Sequence, residues 1–340
     1  MTQVINSTQY NKHIAEEAYL WKGEAEYHQG NYRAAASDLR SYLGQRPDTE
    51  NSALAEYTLG YCHFKQKEYD KALTRFASFT NRESDNSVLK ADALNRMGDC
   101  QFANRQYEEA YSLYENAKET NRGIGDYSVF QQAYIEGLRG NYDKKVELLS
   151  ILTDAENATS STSLQSDALY EQGRAYIQTG NKEQAILAFK HLILLNSQNA
   201  NARRASNELG MLYYEDGNTE EALRYYRSVL DNHPNTEEAQ TALANMKDVY
   251  TQMGKVEEYA EMARKAGKSV SSEELDEMVL NVALKSSEDK EYESAYNHFS
   301  QLMTQTSSEE MRKTALTGMM RNAHLTNKYQ GIKYNKQNNT

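Results

Sequence analysis

Proline and cysteine are almost missing from this 340-residue sequence, with two of each, and glycine is held to 17. So few breakers beside abundant Ala, Glu, Gln, Lys, Leu and Tyr argue against strands and for helices joined by tight turns. Two cysteines are too few for a disulfide framework and cannot form a metal cluster by themselves. No run reaches the roughly 18 to 20 consecutive apolar residues that span a bilayer, so no transmembrane segment is expected. The opening MTQVINSTQYNKH lacks both the charged start and the apolar stretch of a signal peptide. As written, the chain is expected in the cytoplasm, or in the periplasm or cell envelope if it is a piece of an exported protein. Basic residues are outnumbered 38 to 49, for a formal net charge of -11. That balance argues against nucleic acid, whose phosphates need a basic face, and favours neutral or basic partners.

What is present is repetition. Glycines 23, 60, 98, 173 and 210 sit in similar helical patterns about 37 residues apart, or about twice that across one degenerate unit. Twelve residues after each comes an alanine, at Ala35, Ala72, Ala110, Ala185 and Ala222. Sixteen after them stand Leu39, Phe76, Tyr114, Phe189 and Tyr226, and nine after the first three stand Tyr32, Tyr69 and Tyr107. Turn glycines recur at seven, Gly30, Gly180 and Gly217, the usual left-handed stop of a helix. Pro47 and Pro234 both fall 24 after an anchor glycine, where the second helix must end.

Each unit is therefore helix, turn, helix. In three degenerate units Ala133, Lys247 and Ala283 replace the anchor glycine. The eight expected pairs lie near 15–47, 52–84, 88–121, 126–154, 164–197, 202–234, 237–267 and 272–306, with an incomplete ninth at 309–327 that contains Gly318. Residues 1–14 form an N-terminal extension and 328–340 a frayed tail. The small residues should let the two helices of a pair touch, with Phe76 or Tyr226 filling the wedge toward the next pair. No pair can bury its apolar face alone, so stacking should make one continuous core.

The segments ALAEYTLGYCHFKQKEYDKALTRF and NELGMLYYEDGNTEEALRYYRSVLDNHP, with their L-G-x-x-[YH] signature, resemble the tetratricopeptide repeat. The resemblance runs from about Ala15 to Asn327 and implies an all-α, right-handed superhelical solenoid. Spacings of 35 to 40 residues exceed the family's usual length and resemble the longer repeats of bacterial cell-envelope proteins. The resemblance also implies that first helices line a concave groove. Carried over by position, the groove residues are Tyr57, Tyr61 and Phe64; Asn95, Asp99 and Phe102; Phe130 and Tyr134; Tyr170 and Arg174; and Asn207, Met211 and Tyr214. Such a surface is aromatic and partly acidic, and aromatics with a polar tip are common interface anchors. Chaperone-tail binders of the family use Lys and Asn where this sequence has Glu24, Tyr61 and Asp99, so that ligand is not expected.

Catalytic signatures are missing: there is no phosphate loop after a strand, no H-E-x-x-H and no G-x-S-x-G, and the seven histidines are scattered. Neither an enzyme, a cofactor nor a metal is expected. Cys62 and Cys100 each follow an anchor glycine by two, where sister units have Ala25 and Ala175, so both are expected as buried, reduced core residues. The Ser/Thr-rich turn around 153–163, with the Asn157 glycosylation sequon, is a joint, a modified loop or a solvated connection. Near the end, 272–310 carries ten acids and two lysines, whereas 311–340 has six bases and no acid. Met319, Met320 and Leu325, then Tyr329, Ile332 and Tyr334, follow Gly318 without a second helix. Self-association through this C-terminal end, a further stretch of array or a partner is expected to cover them. The function implied is a scaffold that holds a protein or peptide in its groove, in bacterial cell-envelope assembly. The alternative is an architectural subunit joined through the solenoid ends or the convex face.

Overall fold

The computed structural model describes residues 12–45, 50–82, 86–154 and 161–326. Pro47, Asn157 and the tail with Tyr329, Ile332 and Tyr334 lie outside them. Among the described residues there is no strand. Seventeen α-helices follow one another as antiparallel pairs with a single helix at the end. The pairs are α1 (Lys12–His28) with α2 (Tyr32–Gln45), α3 (Glu50–Lys65) with α4 (Tyr69–Arg82), α5 (Ser87–Ala103) with α6 (Tyr107–Thr120), and α7 (Gly125–Leu138) with α8 (Tyr142–Thr153). Then come α9 (Thr162–Gln178) with α10 (Lys182–Leu195), α11 (Ala200–Glu215) with α12 (Thr219–Asn232), α13 (Glu237–Gln252) with α14 (Val256–Lys265), and α15 (Ser272–Glu288) with α16 (Tyr292–Gln305). Helix α17 (Glu309–Leu325) closes the described chain. An all-α helical repeat solenoid is thus the fold class.

Side-chain caps start many of the first helices. Asn86 accepts from the Leu89 N–H at 3.1 Å, Thr236 from Ala239 at 3.2 Å and Ser271 from Glu274 at 3.1 Å, each satisfying a donor that the first turn leaves free. The stop is the residue seven after the anchor. Gly30, Gly140, Gly180, Gly217 and Gly254 all take positive φ there. Lys67, Arg105 and Lys290 fill the same place with φ of 59°, 62° and 64°, although a β-carbon disfavours that conformation. The pair of bonds made by this turn, Lys67 N–H to the Phe64 carbonyl and Glu68 N–H to the His63 carbonyl, both 2.9 Å, closes the helix end.

The anchor glycine does something other than receive the alanine. A β-carbon at Gly60 would lie 2.8 Å from the Phe76 ring, at Gly98 2.6 Å from Tyr114 and at Gly210 2.4 Å from Tyr226. The large residue at position sixteen therefore presses on the glycine of its own pair, and Phe76 at the same time shares a buried cluster with Ala93 and Cys100 of the next pair. Only a hydrogen fits beneath a ring at that distance. Phe299 packs on the glycine of the following helix, and a β-carbon at Gly318 would lie 2.5 Å from its ring.

By its contacts the chain divides into two compact units, Met1–Ala188 and Phe189–Thr340. In the second, buried apolar residues from Ala222 through Met246, Tyr259 and Val282 to Ala315 make one connected cluster. In the first, the buried residues gather in smaller clusters around Leu39, Phe76, Tyr114 and Leu149. Cys62 and Cys100 are fully buried free thiols in two of these clusters. Burial, with Glu24 beside the first and Asp99 beside the second, pushes both up to about 12, so neither is reactive.

Candidate functional site

The smaller clusters of the first unit are separated by polar links. Asp92, Arg96 and Asp99 stand four and three residues apart on α5, hence on one face. On one side the hydroxyls of Tyr57 (2.7 Å) and Tyr61, both from α3, donate to the Asp92 carboxylate. On the other, Tyr114 of α6 (2.8 Å) and Tyr127 of α7 (2.7 Å) donate to Asp99. Arg96 ties the halves together, with Nη1 2.5 Å from Asp99, Nε 3.6 Å from Asp92 and its guanidinium 4.8 Å from the Tyr127 ring centre. Burial and the adjacent carboxylates push all four phenols above their ordinary range, which keeps them protonated as donors. Four helices are thereby fixed to one another through a single helix face.

The residues expected in the groove divide by role. Tyr57 and Tyr61 are half-buried, their rings 5.1 Å apart, and Tyr61 stands edge-on to Phe76 at 5.2 Å. Asp99 belongs to the polar link. Asn95 is only 2% exposed and accepts from the Ser128 hydroxyl at 2.8 Å, so it joins helices instead of facing a ligand. Asn207 is buried too, its Nδ2 donating to the Glu238 carbonyl at 2.9 Å. Phe130 packs against the Leu149 cluster. Tyr170 is half-buried on α9. In the second unit Met211 is 40% exposed, and Tyr214 packs half-buried against the core.

Of the predicted aromatics, Tyr134 is exposed, while Phe64 and Phe102 are half-buried against the Phe76 and Tyr114 clusters. Phe64 lies 5.9 Å from Tyr69, and Phe102 lies 5.4 Å from Tyr107 and 5.9 Å from Tyr134. Tyr134, 41% exposed, and the exposed Arg174 line one cavity of about 270 Å³ with Leu138, Lys145 and Glu171. Arg174 has no ion-pair partner among the described residues, whereas Lys145 pairs with Glu171 and its Nζ lies 5.9 Å from the Tyr134 ring centre.

Sequence reasoning missed this lysine and the α5 network. Both left signals. Lys145 occupies the alanine position, twelve after Ala133, and the charges on α5 repeat at helical spacing on an otherwise apolar face. Among the described residues, no group of three or more His, Cys, Asp and Glu side chains is placed to hold a metal ion, and no helix is long and apolar enough to cross a membrane.

The family description "Tetratricopeptide repeat-like domain" matches residues 1–125, and "Tetratricopeptide repeat" matches residues 170–237. No curated protein matches the sequence at a significant level. Among solved structures, the chain is similar to PilW, a widely conserved type IV pilus biogenesis factor, at 17% identity and a TM-score of 0.50, covering 69% of this chain and 100% of that one. The C-terminal part of a repeat protein from Cytophaga hutchinsonii is similar at 14% identity and TM-score 0.50, covering 88% and 99%. The apo form of RapI is similar at 15% and 0.50, covering 74% and 97%. At these identities the likeness is one of fold.

Proposed function

From the premise that the chain is a tetratricopeptide-repeat protein, we propose that it is a non-enzymatic scaffold which grips a protein or peptide segment along the first helices of its N-terminal unit. The observation that carries this reading is the exposed Tyr134 with Phe102 5.9 Å away, and Phe64 at the same repeat position as Phe102, on helices braced by the α5 network, together with Arg174, which has no ion-pair partner among the described residues. Rigid aromatic side chains lose little entropy on binding, and bracing the helices beforehand lowers the cost of ordering them. The setting we infer is bacterial cell-envelope assembly, the expectation that comes with the long repeat.

Phe64→Ala combined with Phe102→Ala and Tyr134→Ala tests the groove. Tyr134 is exposed and Phe64 and Phe102 are half-buried at the edges of their clusters, so the variant, checked for folding by circular dichroism, should lose the partners that the wild type retains in a pulldown from its native cell. Full retention of those partners by a folded variant would refute the groove reading.

An architectural role has its own observation. On α17, Leu316 is 49% and Met320 63% exposed, and Leu325 is 44% exposed, so that helix carries apolar surface suited to self-association. Light scattering of the chain beside a Leu316→Gln, Met320→Gln variant separates the readings: a dimer dissociated by the variant supports assembly through this end.

A further inference from the structure

In the first three pairs, an aromatic residue four after the anchor lies against the tyrosine nine after it. Tyr27 meets Tyr32 with ring centres 5.7 Å apart, Phe64 meets Tyr69 at 5.9 Å and Phe102 meets Tyr107 at 5.4 Å. These are distances at which aromatic pairs attract. The fourth pair keeps the tyrosine, Tyr142, but the residue at position four is Gly137. No ring of a described residue lies against Tyr142, and the cavity of about 270 Å³ opens at this place, with Tyr142 and Gly137 both in its wall.

The surroundings of the gap differ from those of its sister pairs in a second respect. Lys145 replaces the alanine at position twelve and is 7% exposed, yet its side chain does not end in the core. It passes over Gly137, its Cδ 3.0 Å and Nζ 3.2 Å from where a β-carbon would be, and reaches Glu171 on α9. A large side chain at position 137 would block that path. The glycine thus serves two ends: it lets the lysine through and leaves a ring-sized space beside Tyr142. Arg174 stands across the mouth with no partner among the described residues.

We propose that this cavity is a specificity pocket for an aromatic side chain of the bound protein segment, which takes the place of the ring that the fourth pair lacks. The inference rests on the groove reading and names its partner by chemistry. An incoming Phe, Tyr or Trp packs on Tyr142 as Phe64 packs on Tyr69, and lies beside the Lys145 ammonium, which the face of a ring attracts. Arg174 at the rim pairs with a carboxylate flanking that ring, and a solvent-exposed pair of this kind contributes more to register than to affinity.

The test pans a library of random short peptides against the whole chain, then measures the strongest binders as synthetic peptides against three variants. Gly137→Phe fills the pocket with the ring of the sister pairs and turns the Lys145 side chain off its path to Glu171. Tyr142→Leu removes the stacking partner and leaves the space open, and serves if Gly137→Phe fails to fold by circular dichroism. Phe64→Ala with Phe102→Ala removes the groove elsewhere. The expected result is a pool sharing one aromatic position with acidic neighbours, bound about ten-fold more weakly by Gly137→Phe or Tyr142→Leu, and weakened about as much when Leu replaces the peptide's ring. A pool without a common ring, or ring-bearing peptides that bind both pocket variants as well as wild type, overturns the pocket. If those peptides are still lost by the Phe64, Phe102 variant, the groove reading survives alone. Binding unaffected by every variant, or no enrichment at all, overturns both.

Discussion

The two units use the same repeat and build different interiors. The C-terminal unit buries a connected apolar cluster from Ala222 to Ala315. The N-terminal unit interrupts its core with ionic and phenolic links at Asp92, Arg96 and Asp99, and again at Lys145 and Glu171. An apolar core gains stability in proportion to buried area, without regard to orientation. A charged network costs desolvation, but it fixes helices at set positions and leaves aromatics poised at the surface. The difference teaches where a repeat array spends stability on geometry, and that is where we place binding.

The comparison is sharpest at one repeat position, the residue after the anchor, which is Asp99 in the third pair and Met211 in the sixth. Asp99→Ala leaves Arg96 with Asp92 as its ion-pair partner and takes the acceptor from two phenols, and losing hydrogen bonds to a part-buried charge of this kind costs about 2 to 3 kcal/mol. Met211, 40% exposed, should cost less than about 1 kcal/mol on the same change. Hydrogen exchange read separately in α5 to α7 and in α11 to α13 checks both. Equal losses would show that the network is decoration on a core no different from its neighbour's.

Carboxylates carry the comparison to pH. Burial raises Glu24, whose Oε1 finds no donor among the described residues, above the usual range, against the pull of Thr58 and His28. In the second unit burial alone would raise Glu238, but its own backbone N–H, Arg203 at 3.2 Å and Arg204 at 3.4 Å draw it below. The signs are opposite. Stability tied to Glu24 is present in acid and lost as pH rises through its raised value, whereas stability tied to Glu238 is present above the ordinary carboxylate value and lost as pH falls through the lowered one. Carbon-detected NMR titration should find Glu24 protonating above a free glutamate and Glu238 below it. Glu24→Gln should stabilise the first unit at neutral pH by at most about 1 kcal/mol, after allowing for its partial exposure.

The fold was legible because its small residues recur in phase: five glycines and five alanines at fixed spacing specify helix pairs without any partner information. The site was legible only where it obeyed that phase. Phase places Tyr134 and Arg174 on one helix face in successive pairs, and the structure brings them to one cavity. The same rule put Asn95 and Asn207 in the groove, because spacing alone cannot tell a side chain that looks outward from one that bonds the next helix. It was silent on Asp92, Arg96 and Lys145, where the repeat is broken by charge. Departures from the repeat, more than the repeat, marked the polar links.

One departure is shared by both units and should have the smallest effect. Eight described turns take left-handed backbone at the seventh position; five use glycine, while the first unit puts Lys67 and Arg105 there and the second puts Lys290. A non-glycine residue in that conformation is strained by the contact of its β-carbon with the backbone. Replacing it by glycine relieves the strain but gives the unfolded chain more freedom to lose, so the net gain is only about 0.5 to 1 kcal/mol. Lys67 forms no side-chain bond to a described residue that glycine would remove, and its N–H bond to the Phe64 carbonyl stays with the backbone. Lys67→Gly, Arg105→Gly and Lys290→Gly should therefore each raise the melting midpoint slightly, and by similar amounts, because the turn is local and does not sense whether its core is apolar or ionic. The reverse change, Gly217→Ala, should lower it by about 1 kcal/mol. Differential scanning calorimetry of the four variants decides. A gain at Lys290 alone would mean that the turns of the first unit are held by its polar links rather than by their own backbone.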